Sequence, residues 1–343
     1  MTVRVGINGF GRIGRSFYRA ILERGEQGDV ELVAVNDPFG DAATMAFLLK
    51  HDSVGGTLKH DIAATDDGIT VDGKLLKKLE VREPAEIPWG DEGVDIVIES
   101  TGLFTGRDAA AAHLKGGAKR VVISAPSGDA DAMICMGVND GVFDAAAHAV
   151  ISNASCTTNC LAPLAKVLDD AFGIEQGLIT TVHAYTSDQQ LQDQATATRS
   201  GKPDLRRMRA AALSIIPNST GAARAIGQVL PHLKGKLDGM ALRVPVPTGS
   251  ITDLVATVKH DVDIAAVNDA FAKASKHASY RGVLEYTTET LVSADIVHNP
   301  SSCIFSAPDT MVMGRQVKVL GWYDNEWGYS NRLVDLVEFI GGK

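Results

Sequence analysis

Cys156 has the surroundings that best suit covalent chemistry, in the segment 152–160 that reads SNASCTTNC. A short apolar run precedes this segment and a helical pattern follows it, so the thiol is expected where a strand passes into a helix. Because the N-terminus of a helix stabilises an anion, we expect the pKa of this thiol to be lowered and its nucleophilicity raised. The alternative for a single cysteine is a small buried thiol beside a helix cap.

A thiol nucleophile needs a base, and His183 is the candidate because it ends an apolar strand and enters a long polar segment, residues 186–209. Phosphate ligands are expected among arginines, because the planar guanidinium meets two phosphate oxygens at once. The candidates are Arg206, Arg207 and Arg209 in DLRRMR and Arg243 in ALRVPVP. NSTGAARA, residues 218–225, adds a Thr-Gly turn before a helix, which is a further way to hold an anion. For His183, the alternative is a histidine that is simply part of the core. For the arginines, it is a solvated group of surface charges.

A glycine-rich turn near the N-terminus matches G-x-G-x-x-G with Gly9, Gly11 and Gly14. The turn follows a predicted strand and opens a predicted helix, where such a backbone approaches the pyrophosphate of a dinucleotide. Asp37 ends the next strand, 23 residues after Gly14, near the spacing of about 20 expected for a carboxylate that accepts the ribose hydroxyls. That carboxylate repels a 2′-phosphate, so the pattern favours NAD over NADP. A structural glycine turn is the alternative.

The order of the other elements predicts two domains. Apolar runs alternate with helical patterns in the first part of the chain, as in a parallel sheet covered on both faces, at 30–36, 94–100, 120–124 and 149–152. A helix from 156 to about 172 is followed by longer alternating segments, at 177–185, 239–246, 251–260 and 315–323. We therefore predict an α/β fold class, with a dinucleotide-binding domain followed by an α+β domain that has a largely antiparallel sheet.

The composition limits the class of protein. A chain of 343 residues, 45% hydrophobic and 22% charged, is ordinary for a globular enzyme of two domains. Its net charge of −9 argues against a broad attraction to nucleic acid or to an anionic membrane. No apolar run reaches the roughly 20 residues of a membrane span, and the N-terminus lacks the apolar core of a signal peptide. Four cysteines in so long a chain do not indicate a disulfide framework, so we expect reduced thiols, a cytoplasmic protein and no metal site.

Five segments carry a resemblance that spans essentially the whole chain. They are NGFGRIGR (8–15), SNASCTTNC (152–160), HAYT (183–186), DLRR with SIIPNSTGAA (204–223), and WYDNEWGYSNR (322–332). Together they resemble the phosphorylating glyceraldehyde-3-phosphate dehydrogenases. The resemblance implies a Rossmann-type NAD-binding domain, residues 1–155, to which a C-terminal helix of residues 326–343 returns, and a catalytic domain, residues 156–325. It also implies a homotetramer in which the loop 186–209 lies near the cofactor site of a neighbouring subunit.

The resemblance assigns roles to the residues that match the family's motifs. It implies that Cys156 is the nucleophile and His183 its base. Substrate or phosphate contacts are implied for Ser155, for Thr186 with Arg243 at one phosphate site, and for Thr157, Arg207, Thr220 and Gly221 at the other. Cofactor contacts are implied for Asn8, Gly9, Gly11, Arg12, Ile13, Asp37, Arg82, Ser124 and Asn325, the last at the nicotinamide carboxamide.

The implied reaction is the oxidative phosphorylation of D-glyceraldehyde 3-phosphate to 1,3-bisphosphoglycerate, a step of glycolysis, with NAD and inorganic phosphate. It passes through a thiohemiacetal and a thioester on Cys156. The nearest alternative is erythrose-4-phosphate dehydrogenase, which has similar cofactor and cysteine machinery. A thiol hydrolase would use Cys156 and His183 but leave the dinucleotide turn idle. A binding role without catalysis is the third alternative.

Two positions depart from the family pattern near the adenosine end of the cofactor. Pro38 follows Asp37 where leucine is common in strictly NAD-specific members. Gln194-Ala195 stands where such members often carry Leu-Pro. NAD stays the preferred cofactor, and some use of NADP is left open.

Overall fold

The computed structural model describes residues 2–25, 28–196 and 203–343. Within these ranges the chain forms two compact units. The first contains the residues up to 155 together with 329–343, and the second contains residues 156–328. Each unit has its own main sheet and its own buried apolar residues.

The first unit begins with an alternation of strands and helices. Its elements in chain order are β1 (Val3–Asn8), α1 (Arg12–Arg24), β2 (Val30–Asn36), α2 (Ala42–Lys50), β3 (His51–Asp52), β4 (Gly56–Thr57), β5 (Ile62–Thr65), β6 (Gly68–Val71), β7 (Lys74–Leu79), β8 (Ile96–Glu99), α3 (Arg107–Ala110), α4 (Ala112–Lys115), β9 (Arg120–Ile123), β10 (Ala132–Met133) and β11 (Val150–Ser152).

The described residues of this unit form a sheet of nine strands in the order β10-β11-β9-β8-β1-β2-β7-β6-β5. The pairs from β10 to β7 are parallel, and β6 and β5 extend the sheet as antiparallel strands. All residues of β8 and β11 are buried, as expected for central parallel strands. The antiparallel edge has no predicted counterpart, because β5 and β7 are short and largely exposed and lack a clear apolar pattern. The helices α3 and α4 are single short turns that meet at Ala111.

The second unit begins with a long helix that is buried on most sides. Its elements in chain order are α5 (Cys156–Phe172), β12 (Ile174–Ala184), β13 (Ile216–Ser219), α6 (Ala222–Val229), β14 (Leu237–Val244), β15 (Ser250–Val258), α7 (Ile264–Ala274), β16 (Leu284–Thr287), β17 (Cys303–Ser306), β18 (Met311–Met313) and β19 (Gln316–Tyr323), followed by α8 (Trp327–Gly341), whose residues from Tyr329 onward belong to the first unit.

The described strands of the second unit form a sheet in the order β13-β14-β12-β15-β19-β17-β16, with β18 beside β19. The pairs are antiparallel except for β12 with β14 and β16 with β17. Along β15, buried and half-buried residues alternate strictly, because one face of the sheet packs on α5 and the other does not. The predicted fold class, with an α+β second part and a largely antiparallel sheet, is confirmed.

The C-terminal part of α8 packs within the first unit. Its apolar face is fully buried and consists of Leu333, Leu336, Val337 and Ile340. Arg24, in the last turn of α1, donates to Asp335 Oδ1 at 2.6 Å and to Glu338 Oε2 at 3.0 Å. Apolar burial and charge-assisted hydrogen bonds therefore both hold this helix.

The polar segment 186–209 folds back on itself in its described part. The Gln190 N–H donates to the Arg207 carbonyl at 3.3 Å, and the Gln194 N–H donates to the Met208 carbonyl at 3.0 Å. These backbone hydrogen bonds make the two ends of the segment a paired structure. Residues 197–202 lie outside the described residues, so the expected position of the segment near a neighbouring subunit stays a prediction.

Candidate active site

Strands of the second unit bring several polar side chains to one edge of its sheet. β12 and β14 run in parallel and end together, so His183 lies opposite Arg243 in the register. β19 runs in the same direction as β12, and its last residue, Tyr323, pairs with Ser250 at the start of β15. Cys156 is the first residue of α5, which packs on this sheet. The register therefore gathers residues that are far apart in the sequence.

The backbone just before α5 is strained at Ala154. Its φ is +55°, in the left-handed region that costs a residue with a Cβ about 1–2 kcal/mol. Two contacts hold this conformation: the Ala154 N–H donates to Ser152 Oγ at 3.0 Å, and the Tyr329 hydroxyl donates to the Ala154 carbonyl at 3.2 Å. Ser155 follows as a half-buried residue. The turn into the helix is thus specified by its surroundings rather than by the preference of alanine.

Cys156 and His183 are in direct contact, with the Sγ atom 3.4 Å from Nε2. The tautomer of the imidazole follows from its other nitrogen, since Nδ1 lies 2.7 Å from the carbonyl oxygen of Ala184. A carbonyl only accepts, so Nδ1 carries the proton and donates it. The lone pair of Nε2 is then directed at the thiol, which donates to it. This is the arrangement of a nucleophile with its general base.

Burial determines the charge state of this pair in the protein alone. Burial raises the pKa of the Cys156 thiol, against smaller lowering effects of the Arg243 charge and of hydrogen bonding with Thr157. Burial and then the charge of Arg243 lower the pKa of His183 to about 3, while the bond to Ala184 and the charge of Asp188 act in the opposite direction. The expectation of a lowered thiol pKa is therefore wrong here, because the helix terminus does not outweigh the loss of solvation. Near pH 7 both groups are neutral.

A buried chain of hydroxyl groups lies beside the pair. The Tyr323 hydroxyl is 2.8 Å from Thr157 Oγ1 and 2.8 Å from Thr181 Oγ1, and its ring stands edge-on to His183 with centroids 5.9 Å apart. Tyr323 thus joins the first turn of α5 to the strand that carries the base. Neither Tyr323 nor Thr181 was predicted as a site residue. Alternation along β19 indicates that Tyr323 is buried, but only the register shows what it contacts.

Thr186 and Arg243, expected at one phosphate site, are in contact. Arg243 Nη1 donates to Thr186 Oγ1 at 2.8 Å and to the Ala184 carbonyl at 3.1 Å. Its Nε atom is buried and has no hydrogen-bond partner. A buried cationic donor without an acceptor is costly in the protein alone and is suited to an anionic ligand.

The residues expected at the other phosphate site are not joined by direct contacts in the described structure. Arg207 pairs with Asp188 Oδ2 at 2.5 Å and with Asp204 Oδ2 at 3.3 Å. Asp188 also accepts a hydrogen bond from Thr186 and so links the two expected sites. Thr220 Oγ1 accepts from the Ala222 N–H at 3.2 Å, and Gly221 is the exposed N-cap of α6. The Thr157 hydroxyl is engaged with Tyr323.

Asn325, expected at the nicotinamide carboxamide, is held by hydroxyl groups of its own unit. Its Oδ1 accepts from Ser250 Oγ at 2.8 Å and from Thr248 Oγ1 at 3.3 Å. Ser250 Oγ in turn accepts the Ala184 N–H at 3.0 Å. This arrangement fixes the orientation of the amide and directs its NH₂ group elsewhere, as binding of a carboxamide oxygen would require.

The glycine turn of the first unit leaves room above the start of α1. Gly9 has φ +91°, and a Cβ there would stand 2.7 Å from the Thr101 nitrogen, so the fold itself requires glycine. At Gly11, the N-cap of α1, φ is −74° and a Cβ would meet no atom within 4 Å. Packing within the protein therefore does not require glycine at this position. A ligand that approaches the helix N-terminus would require it, because a side chain there would fill the space that the ligand needs. The turn therefore fits a dinucleotide pyrophosphate.

The other expected cofactor residues surround this turn. Asp37 accepts from the Phe10 N–H and from the Phe39 N–H, both at 2.9 Å, and Arg82 lies over the Phe39 ring at 5.4 Å from its centroid. The Arg12 guanidinium pairs with Asp52 at 2.9 Å. Ile13 is half-buried in the first turn of α1, and Ser124 Oγ donates to the Glu99 carbonyl at 3.0 Å. The Asn8 side chain is buried beneath the turn and bonded to its neighbours.

All four cysteines lie within the described residues and are free thiols. Across residues 2–25, 28–196 and 203–343, no group of three or more His, Cys, Asp or Glu side chains is arranged to hold a metal ion. No helix in those ranges is long and apolar enough to cross a membrane.

Comparisons with known proteins match both units. Residues 3–107 match the NAD binding domain of glyceraldehyde 3-phosphate dehydrogenase, and residues 155–325 match the C-terminal domain of the same family. The chain is 59% identical to a glyceraldehyde-3-phosphate dehydrogenase of Streptomyces coelicolor, over 100% of both chains. It is 58% identical to the proteins of that name from Mycobacterium avium and Mycobacterium tuberculosis, over 99% of each chain. The resemblance found in the sequence is confirmed.

We expect alkylation of Cys156 by iodoacetamide, in protein without added cofactor, to accelerate steadily between about pH 6 and about pH 9. The reason is that the raised pKa of the thiol keeps the reactive thiolate scarce near neutrality. Mass spectrometry of the labelled peptide would distinguish Cys156 from the three buried cysteines. A rate that levels off below about pH 7 would instead show a preformed thiolate–imidazolium pair and contradict the neutral assignment.

Proposed function

Because the chain belongs to the glyceraldehyde-3-phosphate dehydrogenase family, we propose that it converts D-glyceraldehyde 3-phosphate to 1,3-bisphosphoglycerate with NAD and inorganic phosphate, as a glycolytic enzyme. The observation that carries the proposal is the contact of 3.4 Å between Cys156 Sγ and His183 Nε2. Erythrose-4-phosphate dehydrogenase gains no support from the comparisons. A thiol hydrolase would have no use for the NAD binding domain.

The first chemical step forms a bond between Cys156 Sγ and the aldehyde carbon of the substrate. The thiol proton passes to His183 Nε2 and on to the former carbonyl oxygen, which gives a thiohemiacetal. NAD, when bound, supplies the acceptor for the hydride. His183 Nε2 takes the hydroxyl proton of the thiohemiacetal, and the carbonyl bond re-forms as a thioester on Cys156.

The second half of the reaction releases the product. An oxygen of inorganic phosphate attacks the thioester carbon, the carbon–sulfur bond breaks, and the acyl phosphate leaves. The proton held on His183 returns to the Cys156 sulfur, which restores the neutral pair. The bond from Nδ1 to the Ala184 carbonyl keeps Nε2 facing the sulfur throughout, and it stabilises the imidazolium that forms between the steps.

NAD would be held in the first unit by the glycine turn and the residues around it. The open space at Gly11 and the N-terminus of α1 suit the pyrophosphate, and the Asp37 carboxylate suits the ribose hydroxyls. Gly9, Arg12, Ile13, Arg82 and Ser124 would complete the cofactor contacts there. The Asn325 amide would bind the nicotinamide carboxamide, and its fixed orientation supports this role.

Two anion sites would serve the substrate phosphate and the attacking ion. Arg243 with Thr186 would form one site, since Arg243 Nη1 donates to Thr186 Oγ1 and the buried Nε of Arg243 has no hydrogen-bond partner in the protein. Arg207, with Thr157, Thr220 and Gly221, would form the other site. The Arg207 guanidinium already pairs with the carboxylates of Asp188 and Asp204. Ser155 would contact the substrate beside the thiol.

The quaternary structure proposed is a homotetramer. The face of the second unit's sheet opposite α5 carries apolar side chains in register: Leu178 opposes Val255, and Val182 opposes Ile251, which opposes Trp322. Leu178 is 67% exposed, while the Trp322 Nε1 donor and the Asp253 Oδ1 acceptor are buried without partners. A sheet face with several apolar side chains, one of them largely exposed, suits contact with a second copy of the chain.

A cytoplasmic location is proposed on the chemistry of the thiols. Four free cysteines, one of them the nucleophile, suit a reducing compartment. Recovery of the protein in a secreted fraction of fractionated cells would contradict this placement.

The activity is tested by absorbance of reduced nicotinamide with glyceraldehyde 3-phosphate, NAD and inorganic phosphate. We expect turnover only with phosphate, none in Cys156→Ser, and a fall of about 10²–10⁴-fold in kcat for His183→Asn, which removes the general base. NAD binding to Cys156→Ser, followed by calorimetry, should be retained. Turnover without phosphate, or with erythrose 4-phosphate alone, would refute the proposed reaction.

The cofactor site is tested by Gly11→Ala. A Cβ there meets no protein atom, so the free energy of unfolding should change by less than about 1 kcal/mol, while the Kd for NAD rises about ten-fold or more because the backbone no longer reaches the pyrophosphate. Gly141→Ala, which also adds a Cβ in open space, is the matched control and should keep the wild-type Kd. Equal affinities in all three proteins would move the pyrophosphate away from this turn.

The oligomer is tested by sedimentation equilibrium. We expect a particle of four chains of 36.3 kDa each, and dissociation of it in Leu178→Arg, because a buried unpaired charge at the sheet face is unfavourable. Val142→Arg changes an equally apolar residue, 53% exposed in the first unit, and should leave the mass unaltered. A wild-type particle of one chain would be incompatible with the proposal.

A further inference from the structure

Glu99, the last residue of β8, is a carboxylate buried beneath the glycine turn, with 1% of its surface exposed. Its Oε2 lies 2.7 Å from Asn8 Nδ2 and 3.0 Å from His113 Nε2. Its Oε1 lies 2.9 Å from the Thr101 nitrogen and also contacts the Thr101 hydroxyl. The reaction described above makes no use of this group.

The direction of each hydrogen bond in this network is fixed from its two ends. At one end, the Val81 N–H donates to Asn36 Oδ1 at 2.9 Å, so Asn36 turns its NH₂ toward Asn8 Oδ1 at 2.8 Å. Asn8 must then donate to Glu99. The Val81 backbone N–H can only donate. The oxygen and nitrogen atoms of the Asn36 and Asn8 side-chain amides therefore cannot exchange positions.

At the other end, the Trp89 indole N–H donates to His113 Nδ1 at 3.1 Å. An indole nitrogen is only a donor, so Nδ1 is the acceptor and the proton of a neutral His113 lies on Nε2. His113 Nε2 therefore donates to Glu99. Asn8 Nδ2 lies 3.4 Å from His113 Nε2, and both nitrogens donate to the same oxygen, Glu99 Oε2. The Thr101 hydroxyl accepts from the Leu103 N–H at 3.0 Å and is left to donate to Oε1. All four contacts thus donate to Glu99, which is the pattern of an ionised carboxylate.

The network acts on the glycine turn through Thr101. A Cβ at Gly9 would lie 2.7 Å from the Thr101 nitrogen and 2.8 Å from its Cα, so the two backbones are packed against each other. The Ser100 hydroxyl adds a bond of 2.7 Å to the Gly9 carbonyl. The position of Thr101 therefore determines where Gly9 lies, and Glu99 fixes the position of Thr101 by its backbone and by its hydroxyl.

We propose that ionised Glu99 is a positioning residue for NAD, which sets the glycine turn by holding Thr101 against Gly9. The proposal rests on the proposed placement of the NAD pyrophosphate at that turn. Glu99 itself would touch no part of the cofactor. It acts through the backbone, and its effect should therefore appear in cofactor affinity rather than in the chemistry at Cys156.

Glu99→Gln is the isosteric test. An NH₂ group in the Oε2 position would face two fixed donors, Asn8 and His113, so the amide must turn its NH₂ toward Thr101. The Thr101 N–H then loses its acceptor, and the loop that packs on Gly9 is released. We expect the KM and Kd for NAD to rise about ten-fold, with kcat at saturating NAD within about two-fold of wild type. Alkylation of Cys156 without NAD should keep its wild-type rate.

Two further variants make the result decisive. Asp131→Asn removes a carboxylate of the same unit that accepts from the Ala149 and Val150 N–H groups, and it should leave the KM for NAD unchanged. Thr101→Val keeps the side-chain shape and removes the hydroxyl donor, so it should raise the KM for NAD even if Glu99→Gln fails to fold.

The proposal is overturned if folded Glu99→Gln, or Thr101→Val in its place, binds NAD as wild type does. A loss of kcat at unchanged KM would also overturn it. The Gly11→Ala variant separates this failure from that of the cofactor site. If NAD binding is weakened in Gly11→Ala but not in Glu99→Gln, the role of Glu99 is refuted and the pyrophosphate remains at the turn. Normal binding in both variants removes the pyrophosphate from the turn as well.

Discussion

The hydrogen bond of 2.7 Å from His183 Nδ1 to the Ala184 carbonyl is the contact on which the chemistry of the second unit depends. It is made with the next residue of the same strand, so the orientation of the ring follows from the backbone that carries it. The same carbonyl accepts from Arg243 at 3.1 Å. One oxygen atom thereby fixes the tautomer of the base and the place of a cation beside it. The orientation of the His183 Nε2 lone pair toward the Cys156 sulfur follows from that geometry.

The charge of Arg243 acts to lower the pKa of both His183 and Cys156. Its charge, after burial, helps to keep the imidazole neutral, and a neutral imidazole is able to accept a proton. The same charge favours a thiolate on Cys156, although burial outweighs it. A substrate phosphate beside Arg243 would offset this charge and make the imidazolium easier to form. In the proposed reaction, binding of the substrate phosphate and the basicity of His183 would therefore be coupled through the Arg243 guanidinium.

The sequence allowed the fold class and most long strands to be predicted, because each depends on a local pattern. It also singled out Cys156 and His183, which the structure places in contact. The segments 177–185, 239–246, 251–260 and 315–323 alternate clearly, and each contains most of a strand. The pairing of these strands is not a local property. Only the register brings Arg243 opposite His183 and Tyr323 opposite Ser250, so the contacts of Tyr323, Thr181 and Ser250 had no signal in the sequence. The thiol pKa was misjudged for a related reason, since a helix terminus is visible in a sequence and desolvation is not.

Arg207, proposed as an anion ligand, already pairs with two carboxylates of the protein. Its guanidinium is already matched by Asp188 at 2.5 Å and by Asp204 at 3.3 Å. A phosphate ion arriving there would replace a carboxylate rather than meet an unmatched cation, so the net free energy of binding is a difference between two similar contacts. Asp188 also bonds to Thr186, so its displacement would reach the neighbouring anion site. At the two proposed sites, phosphate would therefore compete with the Asp188 carboxylate, and a high concentration of free phosphate would favour its binding.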